Sequence, residues 1–416
     1  MACPGGGYEF LSLEKEGTNG AAWFNERGIA YFTLKYRMPQ GNPEIPLTDA
    51  FHAMMTIRDS AAVWGINPYD VGIIGFSAGG HLAATVSALA PLDVRPNFSI
   101  LFYPVITMDE KSSHAGSVNN FLGTRKSNAE TVRRFSPDQQ VNHYATPPAL
   151  VILSNDDRIV PPVTNGIAYY AAMRRVGNEC TLHVYSDGGH GYGFATWFKH
   201  REQMLSDLDN WLSHHKAPRQ DAIRVACIGN SITRGSCIDM ASQQGYPAQL
   251  QKILGEDYHV RNFGMPGYTA LRHGDYPYTS SECWQMAQNF QPQIIIIKLG
   301  TNDIRPNNSL FLPEFQADLE LMVERLQSLA SKPRILLAYP IRIWDNRLGM
   351  SDSVLTDVIC PAIDAVADRY KLEVIDLHAV INDKQLMTSD GIHPNPDGAR
   401  KLAETVAKAI LPNHLR

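Results

Sequence analysis

The chain has 416 residues, a formal net charge of −5, 44% hydrophobic residues and 19% charged residues, which is the composition of a globular protein with material for two buried cores. The slightly acidic balance argues against a nucleic-acid partner, and six scattered cysteines without a C-x-x-C pair argue against a disulfide framework or a zinc site. No apolar run approaches the length of a membrane span, and no signal peptide is visible at the N-terminus.

The first half alternates strand and helix patterns after a glycine loop, CPGGGY, at residues 3–8. Short β-branched runs predict strands, and amphipathic stretches predict helices between them. The predicted strands are 30–37, 71–76, 97–106, 148–155 and 180–186, and the predicted helices include 47–64 and a closing helix within 195–215. Because the strands are almost continuously apolar, we expect a parallel sheet covered on both faces.

The second half repeats this alternation after a polar, proline-containing stretch, HHKAPRQDA. Predicted strands lie at 223–230, 259–264, 293–300, 334–340 and 372–377, and predicted helices at 313–330, 353–370 and 397–410. We therefore predict two α/β domains, 1–216 and 223–416, joined by a linker at 217–222. Functional residues are expected at the carboxyl ends of the strands.

The first candidate site is the sequence Gly75-Phe76-Ser77-Ala78-Gly79. A strand runs directly into this G-x-S-x-G pattern and a small-residue helix follows, which is the context of a nucleophile elbow. The positive end of that helix would favour a developing oxyanion beside the serine. We interpret Ser77 as a nucleophile, with a structural turn serine as the alternative.

A nucleophilic serine needs a base and an acid that orients the base. In this architecture they follow the serine in the order acid, then histidine. Asp156 and Asp157 come after the fourth predicted strand, and His190 comes after the fifth, flanked by glycines. We favour Asp157 because it has the D-x-x-V-P spacing. His81, on the helix after the elbow, is interpreted as a packed residue beside the site.

Five segments of the first half together resemble an α/β-hydrolase of the esterase type that removes acyl groups from plant polysaccharides. They are CPGGGY, LKYRMP, GFSAGGHLAA, NDDRIVPP and GGHGYGF, and the resemblance covers about residues 3–215. It implies an oxyanion hole made by the N–H groups of Gly6, Gly7 and Ala78. Pro4 stands where related lipases often carry histidine. The polar excursion at 107–147 either caps the pocket or forms a surface insert.

Four strand ends of the second half each carry a glycine, amide, carboxylate or histidine. These are GNSIT at 229–233, NFGMPGYT at 262–269, LGTNDI at 299–304 and SDGIHP at 389–394. In this order they resemble the GDSL/SGNH hydrolases over about residues 222–412. Asn230 stands where aspartate is commoner. The resemblance implies a flavodoxin-like, three-layer α/β/α domain beside the α/β-hydrolase sheet.

The same resemblance implies the roles of individual residues in the second half. Ser231 is then the nucleophile, His393 the base and Asp390 the acid. The N–H groups of Ser231 and Gly267 and the side-chain amide of Asn302 form the oxyanion hole. Gly264 is the competing candidate for Gly267. A binding domain with a dead site is the alternative for the whole set.

These assignments predict that both halves transfer acyl groups through acyl-enzyme intermediates. The resemblance implies a two-domain serine carbohydrate esterase that removes O-acetyl or other short acyl groups from plant cell-wall polysaccharides or oligosaccharides. The expected partner is an acylated carbohydrate, with no cofactor, no metal, no nucleic acid and no membrane. Alternatively, only the second domain is catalytic and the first is a binding or packing module, or the first is a feruloyl or general carboxylesterase. The oligomeric state stays open.

The glycine loop at residues 3–8 lacks room for a full strand before it. Strands average about five or six residues, and only residues 1–3 precede the loop. We therefore expect a truncated form of a longer natural protein, with a poorly anchored glycine loop and a weak first site. The compartment is unknown, and a longer N-terminus would favour a periplasmic or secreted protein.

Overall fold

A computed structural model describes residues 1–345 and 348–411. The chain divides into two compact units, Met1–Ala217 and Pro218–Arg416. Each unit is built on its own five-stranded parallel sheet. The prediction of two α/β folds is confirmed. In the described parts of the chain, no helix combines the length and apolar character needed to cross a membrane.

The first sheet has its strands in chain order. They are β1 Ala2–Cys3, β2 Ile73–Phe76, β3 Ser99–Phe102, β4 Ala149–Ser154 and β5 Cys180–Tyr185. All residues of β1 to β4 are buried, because helices cover both faces of these strands. Their carboxyl ends therefore meet at one edge of the sheet, where the candidate residues of this unit follow them.

Eight α-helices are described in the first unit. They are α1 Ala21–Asn25, α2 Glu44–Asp59, α3 Ala61–Trp64, α4 Ala78–Leu89, α5 Ala115–Leu122, α6 Ala129–Arg134, α7 Ala168–Arg175 and α8 Arg201–His215. The helix α4 is the most deeply placed, because its first eleven residues are all buried. Their small side chains allow this close packing against the sheet.

The predicted strand at 30–37 is wrong for most of its length. Only Thr33 forms a bridge, which is parallel and pairs with Ala2. The Ala2 N–H donates to Phe32 O at 2.7 Å, and the Leu34 N–H donates to Ala2 O at 2.9 Å. A two-residue β1 offers this segment a single ladder partner, so a longer strand cannot form there.

The second sheet has the order β10-β9-β8-β6-β7, with all pairs parallel. Its strands are β6 Ile223–Gly229, β7 Tyr258–Gly264, β8 Ile294–Lys298, β9 Arg334–Ala338 and β10 Glu373–Ile375. Read from β7, this is the flavodoxin-like order, in which the chain reverses direction across the sheet between β6 and β8. Ligands bind at such a switch point, where Ser231 follows β6.

Eight α-helices are also described in the second unit. They are α9 Ser231–Arg234, α10 Ala241–Gln244, α11 Tyr246–Leu254, α12 Glu282–Asn289, α13 Phe315–Gln327, α14 Asp352–Val354, α15 Cys360–Tyr370 and α16 Pro396–Ile410. The helix α16 has an amphipathic sequence, and its buried face includes Leu402, Val406 and Ile410, as the spacing of four residues requires. The predicted helices at 313–330, 353–370 and 397–410 are confirmed.

Candidate active sites

Ser77 occupies a strained turn between β2 and α4. Its φ is +53° and its ψ is −119°, a conformation that L residues rarely adopt. Gly79 allows the turn to pack closely, because a Cβ at this position would lie 2.1 Å from Cys3 O. The strand and helix are therefore joined as in a nucleophile elbow, with the serine at the first turn of the helix.

The side chains of Ser77, His190 and Asp157 form one hydrogen-bonded chain. His190 Nε2 lies 2.8 Å from Ser77 Oγ, and His190 Nδ1 lies 2.6 Å from Asp157 Oδ2. The other oxygen of Asp157 accepts the N–H groups of Ile159 and Val160, at 2.9 and 3.0 Å. These bonds fix the carboxylate, so it can orient the imidazole and stabilise it when it becomes charged.

Asp156, the other candidate acid, has a different hydrogen-bond partner from Asp157. Its Oδ1 accepts a hydrogen bond from the N–H of Gly189, the residue directly before His190, at 2.8 Å. The two candidate acids therefore contact the same loop, but Asp156 contacts its backbone, whereas Asp157 contacts the imidazole.

The glycine loop contributes two candidate oxyanion donors, the N–H groups of Gly6 and Gly7. Gly6 and Gly7 have φ values of +125° and +64°, which L residues with a side chain rarely adopt. Within the described residues, the N–H groups of Gly6, Gly7 and Ala78 have no protein acceptor. Gly5 lies close to the elbow, because a Cβ added to it would be 2.9 Å from Ser77 Cβ. This arrangement can hold an oxyanion.

The expectation of a poorly anchored glycine loop is wrong. Side chains from three later segments hold it. Tyr36 Oη donates to Pro4 O at 2.6 Å, Gly5 N–H donates to Glu16 Oε2 at 2.9 Å, and Asn120 Nδ2 donates to Gly7 O at 2.9 Å. The loop therefore depends on tertiary contacts and not on a long preceding strand.

The excursion at 107–147 contacts this loop through α5. Besides the Asn120 contact, His114 lies beside Gly7, where a Cβ would be 3.5 Å from His114 Cε1. His114 Nδ1 accepts the Ser117 N–H at 3.2 Å and caps the helix. The insert thus borders the glycine loop of the first site.

His81 is a core residue. It is fully buried, its Nδ1 lies 2.7 Å from Tyr8 Oη, and its Nε2 lies 2.8 Å from Phe135 O. Burial lowers the pKa of His81 to about 4, and the bond to the Phe135 carbonyl opposes this shift. Both nitrogens are occupied by protein partners, so His81 has a packing role beside the site.

The second unit contains a second chain of three side chains. His393 Nε2 lies 2.8 Å from Ser231 Oγ, and His393 Nδ1 lies 2.6 Å from Asp390 Oδ2. Burial opposes ionisation of Asp390, but bonds from the His393 N–H and side chain, the Ile392 N–H and the Thr388 hydroxyl outweigh it, so the pKa of Asp390 is held below its usual range. Acid and base therefore come from one short loop.

Three groups are candidate oxyanion donors in the second unit. Among the described residues, the N–H groups of Ser231 and Gly267 have no protein acceptor. Asn302 donates one amide hydrogen to Tyr268 O at 2.9 Å, which leaves its second hydrogen for a ligand. Gly264 is less suited to this role, because its N–H donates to Asn262 Oδ1 at 2.9 Å.

Asp303 supports two loops of the second site, a role that the motifs did not indicate. It is fully buried and accepts the N–H groups of Ala270, Leu271 and Gly300 at 2.7, 3.0 and 2.9 Å. Burial raises the pKa of Asp303 to about 6, and the backbone bonds oppose this shift. Asp303 therefore connects the loop after β7 to the loop after β8. Its position next to Asn302 in the sequence is the feature from which this role could have been predicted.

Cys237 extends the second cluster with a thiol. Its Sγ lies 3.7 Å from Asp390 Oδ2 and 3.8 Å from His393 Nδ1. These three residues are the group in the described chain whose ligand atoms are close enough to hold a metal ion. Two of the three atoms are already engaged with each other in the Ser231 cluster.

Comparison with known proteins matches both halves to hydrolase families. Residues 4–194 match the model of the alpha/beta hydrolase fold, and residues 227–401 match that of the GDSL-like Lipase/Acylhydrolase family. An acetylxylan esterase of Xylanibacter ruminicola is 50% identical over 429 residues, with 99% of this chain and 89% of that protein covered. This chain belongs to the acetylxylan esterase family. It is a carbohydrate esterase, a serine carboxylic-ester hydrolase with two hydrolase folds.

Two more distant relatives each match about half of this chain. Endo-1,4-beta-xylanase B of Butyrivibrio fibrisolvens is 32% identical over 210 residues, which are 47% of this chain and 32% of that protein. The crystal structure of an acetyl ester-xyloside bifunctional hydrolase from Caldicellulosiruptor lactoaceticus has 30% identity and a TM-score of 0.47, with 51% of this chain and 80% of that chain covered.

Proposed function

We propose that both units are active and remove O-acetyl or other short acyl groups from plant cell-wall polysaccharides or their oligosaccharides. The observation that carries this proposal is the presence of two complete hydrogen-bonded sets, Ser77–His190–Asp157 and Ser231–His393–Asp390. A binding or packing module has no need for such a set. The substrate class is supported by the acetylxylan esterase that is 50% identical to this chain.

The chemistry is the same in the two sites. In the first, Ser77 Oγ attacks the ester carbonyl carbon while His190 Nε2 takes the hydroxyl proton, and Asp157 stabilises the imidazolium. The carbonyl oxygen becomes an oxyanion held by the N–H groups of Gly6, Gly7 and Ala78. The intermediate collapses, the sugar oxygen leaves with the proton from His190, and Ser77 is acylated. Water then adds with His190 as base and releases the carboxylic acid.

In the second site, Ser231 is the nucleophile, His393 the base and Asp390 the acid. The oxyanion is held by the N–H groups of Ser231 and Gly267 and by the amide of Asn302. Each half-reaction moves one proton onto His393 and off again, so the site returns to its starting state without a cofactor step.

Separate serine substitutions test this proposal. We expect Ser77→Ala and Ser231→Ala each to retain the acetate release of the other site, and the double variant to lose about a million-fold in rate, as triad removal does in a well-studied protease. Acetylated xylan, acetylated sugars, aryl acetates and feruloyl esters are assayed with all four proteins. Feruloyl hydrolysis lost in Ser77→Ala would assign that substrate to the first site.

Two results would contradict the proposal. If Ser231→Ala alone abolished activity on every ester, the first unit would be a non-catalytic module. If the double variant kept the turnover of the wild type, neither serine would be the nucleophile. Rates on each ester are compared at equal protein concentration, with circular dichroism as the control for folding.

A further inference from the structure

Glu16 is a buried carboxylate beside the first site that the proposed mechanism does not use. Only 6% of its surface is exposed. It lies on a π-helical turn, Leu13–Thr18. Its Oε2 accepts the Gly5 N–H at 2.9 Å, and its Oε1 accepts the Tyr103 hydroxyl at 3.0 Å. Burying a charged group is costly unless it is hydrogen-bonded, and these two hydrogen bonds offset part of the cost of burying the Glu16 carboxylate.

Tyr103 continues this contact to the loop of the catalytic base. It follows β3 directly, is buried, and has a φ of +34°. Its hydroxyl oxygen accepts the Gly193 N–H at 2.9 Å, and its ring centroid lies 4.7 Å from that of His190. Gly193 is three residues beyond His190, so one tyrosine contacts both the imidazole and the backbone of its loop.

The contacts form a continuous path from one half of the site to the other. It runs from Gly5 N–H through Glu16 to Tyr103 and then to Gly193 N–H. Gly5 has no room to move toward the elbow, because a Cβ there would be 2.6 Å from Glu16 Oε2 and 2.8 Å from Phe76 O. Once Gly5 N–H is committed to Glu16, the next two N–H groups of the loop remain for the oxyanion.

We propose that Glu16 and Tyr103 are positioning residues that brace the oxyanion loop at Gly5–Gly7 against the loop that carries His190. This inference rests on the proposed catalytic role of the first unit and adds residues to it. The brace sets the distance between the groups that hold the oxyanion and the group that takes the proton. Both must be in place in the same transition state, so loss of the brace lowers kcat more than substrate binding.

Burial raises the pKa of Glu16, and the Tyr103 and Gly5 hydrogen bonds and the charges of His190 and Lys15 oppose this shift. A carboxylate is nevertheless suited to this place, because its two oxygens can accept both bonds at once. A glutamine has one accepting oxygen and an NH₂ group, which would face either the Gly5 N–H or the tyrosine hydroxyl. An aspartate keeps the charge but is one carbon shorter.

The test uses the full chain with Ser231→Ala, so that ester hydrolysis comes from the first site. Glu16→Gln, Glu16→Asp, Tyr103→Phe and the Glu16→Gln/Tyr103→Phe double variant are added to this parent. Glu14→Gln and Tyr144→Phe are matched controls, because both residues are exposed in the same unit. The readouts are kcat and KM on an aryl acetate and the rate at which a fluorophosphonate labels Ser77.

We expect each single variant to lower kcat and the labelling rate by about 10- to 100-fold, with KM changed by less than about threefold. The double variant should be about as impaired as the worse single variant, because the two residues act through one path. The two controls should match the parent. Protection of the buried thiol of Cys3 on β1 reports that the first unit remains folded.

Several outcomes would overturn the inference. Unchanged kcat in Glu16→Gln, or losses that multiply in the double variant, would each rule out a brace that needs both carboxylate oxygens. Full activity in Glu16→Asp would rule out a brace that needs the full length of the glutamate side chain. Loss of kcat that only follows loss of Cys3 protection would reduce Glu16 to a folding role. An inactive Ser231→Ala parent would refute the proposed function of the first site itself, and the catalytic brace with it. An active parent with unaffected variants refutes the brace alone.

Discussion

Lys298 donates a hydrogen bond from its Nζ to Oδ1 of Asn230 at 3.2 Å, and both side chains are fully buried. Asn230 directly precedes Ser231, and its Oδ1 also accepts the Ile232 N–H at 3.1 Å. Asn230, which stands where aspartate is commoner, therefore has a buried lysine side chain as its hydrogen-bond donor. Burial lowers the pKa of Lys298 to about 7.

This pair predicts a pH-dependent stability of the second unit. Between pH 7 and the ordinary lysine pKa of about 10.4, the unfolded chain binds a proton that the folded chain has lost, so the free energy of unfolding rises with pH. Lys298→Met should remove this rise, and so should Asn230→Asp, which keeps the ammonium charged by pairing it with a carboxylate. The free energy of unfolding of the second unit is measured by urea unfolding at pH 7 and pH 9.5, with labelling of the buried Cys227 thiol as the probe. Lys401→Met, at an exposed site, is the control and should keep the rise.

The two neighbouring aspartates of the first site should differ in effect. Asp157 contacts the imidazole of His190, whereas Asp156 contacts only the Gly189 N–H. In a protease triad, changing the acid to its amide lowers kcat about 10⁴-fold because the imidazole is held in the wrong tautomer. We expect a loss of that order for Asp157→Asn and less than about tenfold for Asp156→Asn, measured with Ser231→Ala as parent. Equal losses would contradict the assignment of Asp157.

Asn302 should contribute to catalysis through its free amide hydrogen. Removing one oxyanion donor lowers kcat by about 10²- to 10³-fold in a studied serine protease. Asn302→Ala in a Ser77→Ala parent should show a loss of this size in kcat on an aryl acetate, with KM little changed. Asn307→Ala, at an exposed asparagine of the following turn, is the matched control. A loss confined to KM would mean that Asn302 binds the substrate without stabilising the oxyanion.

His81 should make the first unit sensitive to acid. Its pKa is about 4 in the folded chain and about 6.5 when unfolded, so the unfolded chain binds more protons between these values. The free energy of unfolding should therefore fall as the pH decreases from 6.5 to 4, by up to about 1.4 kcal/mol per pH unit. His81→Gln should flatten this slope, and the exposed His52→Gln should not. Urea unfolding at several pH values, with the Cys3 thiol as the probe, gives the slopes.

Strand-end motifs predicted the fold and the candidate triads because parallel strands bring their carboxyl ends to one edge of the sheet. The same reasoning failed for residues 30–37, where an aromatic-rich run has only Ala2 as a ladder partner. It also could not find Glu16 or Tyr103. Their proposed roles depend on which backbone N–H groups lie opposite them. Glu16 follows no strand, and Tyr103 lies inside the predicted strand 97–106, whereas β3 ends at Phe102.

The oxyanion candidates show the same limit. Spacing left Gly264 and Gly267 as competitors, and only the Asn262 contact to the Gly264 N–H separates them. The anchoring of the first glycine loop was underestimated for a related reason. Tyr36 and Asn120 are far from the loop in sequence, and no local pattern indicates that they donate to it.

The two acid–base pairs differ in how far apart they lie along the chain, and this gives the two sites different resistance to partial opening. Asp157 follows β4 and His190 follows β5, the edge strand of the first sheet, whereas Asp390 and His393 share one loop. Because edge elements can open at a free energy below that of global unfolding, we expect local opening of β5 to carry His190 away from both its acid and its nucleophile. In the second unit the acid and the base move as one piece. Under mild denaturant or brief heating, we therefore expect the proposed first activity to disappear while its unit is still largely folded, and the proposed second activity to persist closer to the melting point of its own unit.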